Sequence, residues 1–281
     1  CGRALTSHPL VQRISFTGGT NAARHVARNA AENFAQVSLE LGGKSPFIVF
    51  DDANIDSAVN GSIAGIFGAS GQSCVAGSRL YLHDDIANEF LEKLVAQANQ
   101  IRIGDPLDDA TQMGPLATMA QITHIEEQVK LAVAEGGRLL VGGKRPTNPT
   151  TGLYFEPTII ECHRQDMTIV DTELFGPVLS VLRFREEEEV LAYANDTKYG
   201  LAAGVFTADG ARSLRMANAL RAGIVWVNTY RVVSPIAEFG GFKESGYGRE
   251  SGMQAIYDYT RPKTVWLNMS TESMANPFVM S

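Results

Sequence analysis

Cysteine is scarce in this 281-residue chain: Cys1, Cys74 and Cys162 are odd in number and far apart. That argues against a disulfide framework and makes a reducing compartment, the cytoplasm, the expected location. Positive charge is also in short supply, 24 Lys and Arg against 31 Asp and Glu, for a net charge of -7. That balance gives no support for meeting phosphate backbones, which usually needs a basic face, so no nucleic-acid partner is expected. No window approaches the roughly 18 consecutive apolar residues of a membrane span, and no signal-peptide pattern is present. The five histidines (His8, His25, His83, His124, His163) lack ligand spacing with Cys or carboxylates, so no metal site is expected. Neither a Gly-x-Ser-x-Gly elbow nor a Walker-type loop occurs. The chain also opens on Cys1-Gly2-Arg3 without an initiator Met, which suggests that something upstream was removed or never included.

What is present is an ordinary globular composition, 44% hydrophobic and 20% charged. At roughly 150 residues per domain, the length suits about two domains. Residues 14–16 read as a strand end running into Thr17-Gly18-Gly19-Thr20, followed by a helix over 21–33. Ala22, Val26, Ala30 and Phe34 fall on its expected core stripe. Residues 36–41 alternate, with Val37, Leu39 and Leu41 on one face and Ser38 and Glu40 on the other, until Gly42-Gly43 stops the strand. The apolar run 46–50 suits a buried strand. Asp51, Asp52 and Asn54 can cap a helix carrying Ile55, Val59, Ile63 and Phe67, which ends in the Gly-rich stretch 68–77. Further strands are expected at 79–83, 138–141, 155–160, 178–184, 202–207 and 224–228. Helices are expected at 86–101, 119–135, 186–194 and 211–219, with a last β-prone run at 263–269. Strands alternating with helices predict an α/β fold with a largely parallel sheet.

Several residues could carry chemistry. Cys74 follows a helix and a polar, glycine-flanked approach, Gly71-Gln72-Ser73, and continues through Val75-Ala76-Gly77. Such a loop presents a thiol rather than burying it. A thiol attacks as thiolate, so amide dipoles or a base must assist it. The plainer alternative is a small buried hydrophobe. Glu40 sits late in an apolar strand, at the crevice side of an α/β sheet, where desolvation would raise its pKa toward that of a base usable near neutrality. The plainer alternative pairs it with Lys44. The Gly18-Gly19 turn exposes amides at a helix start, suited to an anion. Glu173-Leu174-Phe175-Gly176-Pro177 joins an acid and an aromatic before a strand, and 239–249 is a Gly-rich aromatic loop.

Together these segments resemble the aldehyde dehydrogenase superfamily, from about Leu10 to Leu267. Phe16-Thr17-Gly18 is similar to that family's phosphate-side turn, Leu39-Glu40-Leu41-Gly42-Gly43-Lys44 to its general-base motif, and Gly71-Gln72-Ser73-Cys74 to its nucleophile motif. Glu173-Leu174-Phe175-Gly176-Pro177 is similar to the segment holding the nicotinamide ribose, and Asn228 with Phe239-Gly240-Gly241 to a later active-site stretch. The resemblance implies an aldehyde substrate and NAD or NADP as cofactor. It implies Cys74 as nucleophile through a thiohemiacetal and thioester, and Glu40 as the base that activates the hydrolytic water. Thr17, Gly18, Gly19, Leu41, Gly42, Glu173 and Phe175 would then contact the cofactor, while Ser73, Val75, Asn228 and Phe239 support the substrate. Having Glu40 favours hydrolysis over acyl transfer to coenzyme A.

The sequence also departs from the family pattern: Gly19 stands where Ser is common, Ser70 where Gln is usual, and Glu238 where Pro is common. The family's long N-terminal portion, with the rest of the dinucleotide-binding domain, is not among these residues. Little activity is therefore expected of the chain alone, and an inactive or structural interaction fragment is the alternative. The resemblance divides the chain into 1–41, a remnant of a Rossmann-like dinucleotide-binding domain; 42–253, a doubly wound catalytic domain; and 254–281, a return segment with an oligomerisation strand. That strand implies a homo-oligomer, dimer or tetramer.

Overall fold

The expected alternation of strands and helices forms two sheets, described in a computed structural model over residues 1–149 and 151–279. After a short helix α1 (Gly2–Thr6), β1 (Arg13–Thr17) pairs in parallel with β2 (Gln36–Glu40), joined through helix α2 (Thr20–Glu32). Only Ala23, Val26 and Ala30 of α2 are buried. The expected stripe through Ala22 and Phe34 is therefore corrected. Steps of four advance about 400° around a helix of 3.6 residues per turn, so they drift off one face, whereas alternating steps of three and four stay on it. Phe34 lies beyond the helix end at φ 54° and is exposed.

From Glu40 the chain crosses over residues 41–45 into a seven-stranded sheet. Its strands are β3 (Pro46–Val49), β4 (Arg79–His83), β5 (Arg138–Val141), β6 (Thr158–Glu161), β7 (Val178–Phe184), β8 (Ala202–Phe206) and β9 (Ile224–Val227). Their order is β5-β6-β7-β4-β3-β8-β9, and every neighbour is parallel except the β5–β6 pair. All four residues of β3 are buried, as its unbroken apolar run requires of a strand covered on both faces. Helices α3 (Ile55–Phe67), α4 (Asp84–Ala98), α5 (Met119–Ala134), α6 (Thr168–Asp171), α7 (Glu187–Asn195) and α8 (Gly210–Ala219) complete this unit. Asn54 caps α3, its Oδ1 accepting from Ser57 N–H at 2.9 Å. The chain then returns, and β10 (Gly246–Tyr247) lies antiparallel against β2, followed by α9 (Gly252–Asp258). No helix among the described residues is long and apolar enough to cross a membrane.

Two expected strands change. The one at 155–160 begins only at Thr158. Pro157 has no N–H to give a ladder, while Phe155 is buried in the approach to the strand. The run 263–269 forms no strand: Val265, Trp266 and Leu267 are all highly exposed. A strand needs a neighbour to satisfy its backbone, and none of the described residues lies beside it.

Arg79, at the start of β4, is fully buried. Its Nε donates to the Lys44 carbonyl at 2.8 Å, its Nη1 to the Tyr81 hydroxyl and the Tyr193 carbonyl, and its Nη2 to the Ala194 carbonyl. It therefore ties the connection 41–45 to the C-terminal turn of α7, whose carbonyls favour a cation. Arg79→Met would leave these acceptors dry, so chemical denaturation should show a loss of at least about 3 kcal/mol. A loss below about 1 kcal/mol would contradict this role.

Candidate functional site

In open α/β sheets, ligands gather at the carboxyl ends of the strands. The small sheet obeys this rule, because Glu40 is the last residue of β2, opposite Thr17 of β1 and Gly246 of β10. The large sheet does the opposite. The loops 42–45, 68–78 and 172–177 lie at the amino ends of β3, β4 and β7. A cleft of about 570 Å³ forms where these two edges meet, lined by Thr17, Glu40 and Cys74 on one side and by Val233, Glu238, Phe239 and Glu250 on the other.

Glu40 is only 6% exposed, and neither of its carboxylate oxygens has a hydrogen-bond partner among the described residues. Its pKa is pushed up to about 7, first by burial and then by the charge of Glu250, against a smaller pull from Arg249. The expected alternative of a pair with Lys44 is not formed. Lys44 is buried, and its own pKa is lowered to about 7 by burial and by the neighbouring Arg79 cation.

The loop that carries Cys74 follows α3 through Ala69 at φ 56°, Ser70 at φ 56° and Gly71 at φ 72°, three left-handed residues in succession. A side chain at Gly71 would collide with the Gly176 carbonyl at 2.1 Å. Ser70 Oγ donates to the Gly114 carbonyl at 2.9 Å, and Gln72 Oε1 accepts from Ala117 N–H at 2.9 Å. The Ser73 carbonyl accepts from Ala76 N–H at 3.0 Å. Val75 is buried, and its carbonyl accepts from the Tyr230 hydroxyl at 2.9 Å. Half-buried Cys74 stands on this frame as a free thiol. Burial raises its pKa; the amides of Val75 and Cys74 that bond the sulfur work against this, while Glu40 and Glu173 add to it. The resting group is thus a thiol whose ionisation needs a proton acceptor, and Glu40 lines the same cleft.

The other expected residues divide. Thr17 lines the cleft, but Gly18 N–H donates to the Glu40 carbonyl at 3.1 Å and is not free for an anion. Gly19 is the N-cap of α2 with open space around it. Leu41 N–H donates to the Ser245 carbonyl at 3.0 Å, and Ser245 Oγ donates to the Gly42 carbonyl at 2.7 Å. Glu173 Oε1 accepts from Gly43 N–H at 3.0 Å. A Cβ at Gly42 would sit 2.0 Å from the Glu173 carboxylate, so this acid rests in a cradle only glycine leaves open. Burial raises the Glu173 pKa. Phe175, at φ 52°, is partly exposed, its carbonyl held by Gln121 Nε2 at 2.7 Å. Asn228 is not among the residues lining the cleft. Its amide oxygen accepts from Thr207 N–H at 3.0 Å and its amide nitrogen donates to the Thr207 carbonyl at 2.9 Å, so both ends are engaged elsewhere. Glu250, Ser245 and Tyr230 were not singled out from the sequence. Ser245 lay inside the noted 239–249 loop, whereas Tyr230 carried no local signal.

Comparison with known proteins gives one answer. The profile of the aldehyde dehydrogenase family matches residues 1–265. The chain is 52% identical over its full length to (Z)-2-((N-methylformamido)methylene)-5-hydroxybutyrolactone dehydrogenase of Acinetobacter baylyi, covering 57% of that protein. It is 46% identical to a betaine aldehyde dehydrogenase of Brucella anthropi, over 95% of this chain and 55% of that one. Among solved structures, PnpE from Pseudomonas sp. WBC-3 superposes with a TM-score of 0.95 at 46% identity, covering 99% of this chain and 57% of its own. PnpE in complex with nicotinamide adenine dinucleotide gives 0.96 at 45% identity, with the same coverage. The chain thus spans little more than half the length of these relatives.

Burial of Glu40 has a measurable consequence. Between its ordinary value of 4.5 and its folded value of about 7, the native state holds a proton that the unfolded chain has released. Stability therefore falls as pH rises through that window. Glu40→Gln removes the loss. In urea denaturation the variant should exceed the parent by about 3 kcal/mol near pH ~8, with the difference gone near pH ~4. Equal stabilities at the higher pH would contradict the burial of this carboxyl.

Proposed function

The chain belongs to the aldehyde dehydrogenase family, and on that premise we propose that its cleft oxidises an aldehyde to a carboxylic acid. The carrying observation is an unpartnered carboxyl with a pKa near 7 on the same cleft as a free thiol. Cys74 gives its proton to Glu40 and attacks the aldehyde carbonyl, while its own backbone N–H stabilises the oxyanion; such a donor contributes roughly 3 kcal/mol. NAD or NADP, when bound, accepts the hydride. Cys74 then holds the acyl group as a thioester; Glu40 releases the thiol proton to solvent, and as carboxylate again takes a proton from the water that hydrolyses the thioester. The Gly42 cradle fits a ribose hydroxyl acceptor in Glu173, with Phe175 packing beside the cofactor. The open α2 N-terminus at Gly19 and the Thr17 side chain face its phosphates. Ser73, Val75, Asn228 and Phe239 support the substrate.

Residues 1–41 are proposed as the remnant of a dinucleotide-binding domain, 42–253 as the catalytic domain and 254–281 as a return segment with an oligomerisation strand. The highly exposed Val265, Trp266 and Leu267 favour a homo-oligomer, dimer or tetramer, and equally favour a second reading as an interaction fragment. The three free thiols suit a cytoplasmic location. Because the chain covers little more than half of its relatives, low turnover and weak cofactor binding are proposed for residues 1–281 alone.

A p-nitrophenyl acetate assay tests the two residues without cofactor. Cys74 should acetylate, Cys74→Ser should abolish release, and Glu40→Gln should slow deacylation about 100-fold, so that acetyl-Cys74 accumulates in the mass spectrum. Undiminished turnover in Glu40→Gln would remove Glu40 from the hydrolytic step. Aldehyde-dependent NADH formation separates a dehydrogenase from the interaction fragment.

A further inference from the structure

We propose that a second cavity, at the carboxyl ends of β6 and β7, binds a phosphoryl dianion, free or as a small monoester, on the guanidiniums of Arg138, Arg164 and Arg183. This cavity measures about 400 Å³ and shares no lining residue with the cleft of Cys74 and Glu40. It therefore stands apart from the function read there. Glu161 ends β6, Arg183 is the last but one residue of β7, and Arg138 opens β5 directly opposite Glu161. The loops around Cys74 lie at the amino ends of β3, β4 and β7, so this cavity occupies the other edge of the large sheet. That is the edge at which open α/β sheets usually bind ligands.

The local charge runs against the rest of the chain. The protein carries a net charge of -7, yet three arginines and His163 line the cavity with Glu161 as the only carboxylate among them. Glu161 Oε2 accepts from Arg138 Nε at 2.9 Å and from its Nη2, while Oε1 accepts from Arg183 Nε at 2.8 Å. Burial works to raise the Glu161 pKa, but the two guanidiniums hold it below the ordinary carboxylate value, so the group stays charged. One carboxylate thus sets two guanidiniums side by side without neutralising both. Other acids in the neighbourhood do little to change this. Asp166 meets Arg164 Nε at 3.2 Å from a highly exposed position, where such a pair is weak. Glu135 gives both oxygens to Thr168, and Glu189 accepts from the Tyr193 hydroxyl and the Arg185 amide.

Donors are left over on every arginine. Arg183 Nη2 donates to Asn88 Oδ1 at 2.9 Å, but Arg138 Nη1, Arg183 Nη1 and both terminal nitrogens of Arg164 donate to no acceptor among the described residues. A phosphoryl group brings three strong acceptor oxygens, which suit such planar forks. The walls are fixed in advance. Gln165 Oε1 accepts from the Tyr81 hydroxyl at 2.8 Å, and its Nε2 donates to the Tyr193 carbonyl at 3.2 Å. Gly136, at φ 96°, makes room for the His163 ring; a Cβ there would lie 2.9 Å from His163 Cε1. Leu182 and Tyr193 offer an apolar side for the carbon of an ester.

Isothermal titration calorimetry of the chain with inorganic phosphate, methyl phosphate and methanesulfonate tests the site. Near pH ~8 both phosphates are dianions, and they should bind at least about tenfold tighter than the monoanionic sulfonate. Arg138→Gln should weaken phosphate binding about tenfold and Arg164→Gln about threefold. Both side chains are largely exposed, and a thermal unfolding midpoint equal to the parent's, measured without phosphate, shows that each variant is folded. Arg215→Gln, on α8 outside the cavity, should leave binding unchanged. Tighter binding of methyl phosphate than of inorganic phosphate assigns the cavity to an ester, the reverse order assigns it to free phosphate, and either upholds the site. Three results overturn the proposal: no phosphate binding, binding matched by methanesulfonate, or binding indifferent to both Arg138→Gln and Arg164→Gln.

Discussion

The connection 41–45 joins the carboxyl end of β2 to the amino end of β3, and the whole site depends on how tightly it is fixed. Four groups hold it from different parts of the chain. The Ser245 carbonyl receives the Leu41 amide, Ser245 Oγ holds the Gly42 carbonyl, Glu173 holds the Gly43 amide, and Arg79 holds the Lys44 carbonyl. None of the four is near the connection in sequence. The turn has no side chain of its own at 42 and 43, which lets Glu173 close on one face and the Cys74 carbonyl on the other; a Cβ at Gly43 would lie 2.7 Å from that carbonyl. Two sheets are thereby set edge to edge, with Glu40 and Cys74 on the cleft at the seam.

This seam explains what the sequence could and could not disclose. Local signals were reliable where one element decides the outcome. The unbroken apolar run of β3 and the Asn54 cap of α3 follow from nearest-neighbour chemistry. The strand at 79–83 was read with the bounds it adopts. Cys74 and Glu40 stand out in the sequence because a family pattern and a chemical anomaly coincide at each, and the structure sets both on one cleft. The large sheet's use of its amino edge was not legible, since the rule for open sheets points to the other end. Ser245, Glu250 and Tyr230 reach the site only through the return of the chain, which local periodicity does not encode. The run 263–269 had strand propensity without a partner, and propensity alone does not make a strand.

Electrostatics and burial pull the same way at this site. Desolvation pushes Glu40, Cys74 and Glu173 all toward their neutral forms. A resting cleft with few countercharges therefore keeps its proton acceptor near neutrality and its thiol protonated, ready for one proton to pass between them.

Glu40 and Cys74 line one cleft, and the proposed proton transfer between them requires that their charges be coupled. Isotope-edited NMR titration of the Glu40 carboxyl, before and after carboxymethylation of Cys74, tests it most directly. A midpoint near 7 that moves upward once a negative carboxymethyl group is on the sulfur is the expected result. A midpoint near 4.5, indifferent to alkylation of Cys74, would contradict it.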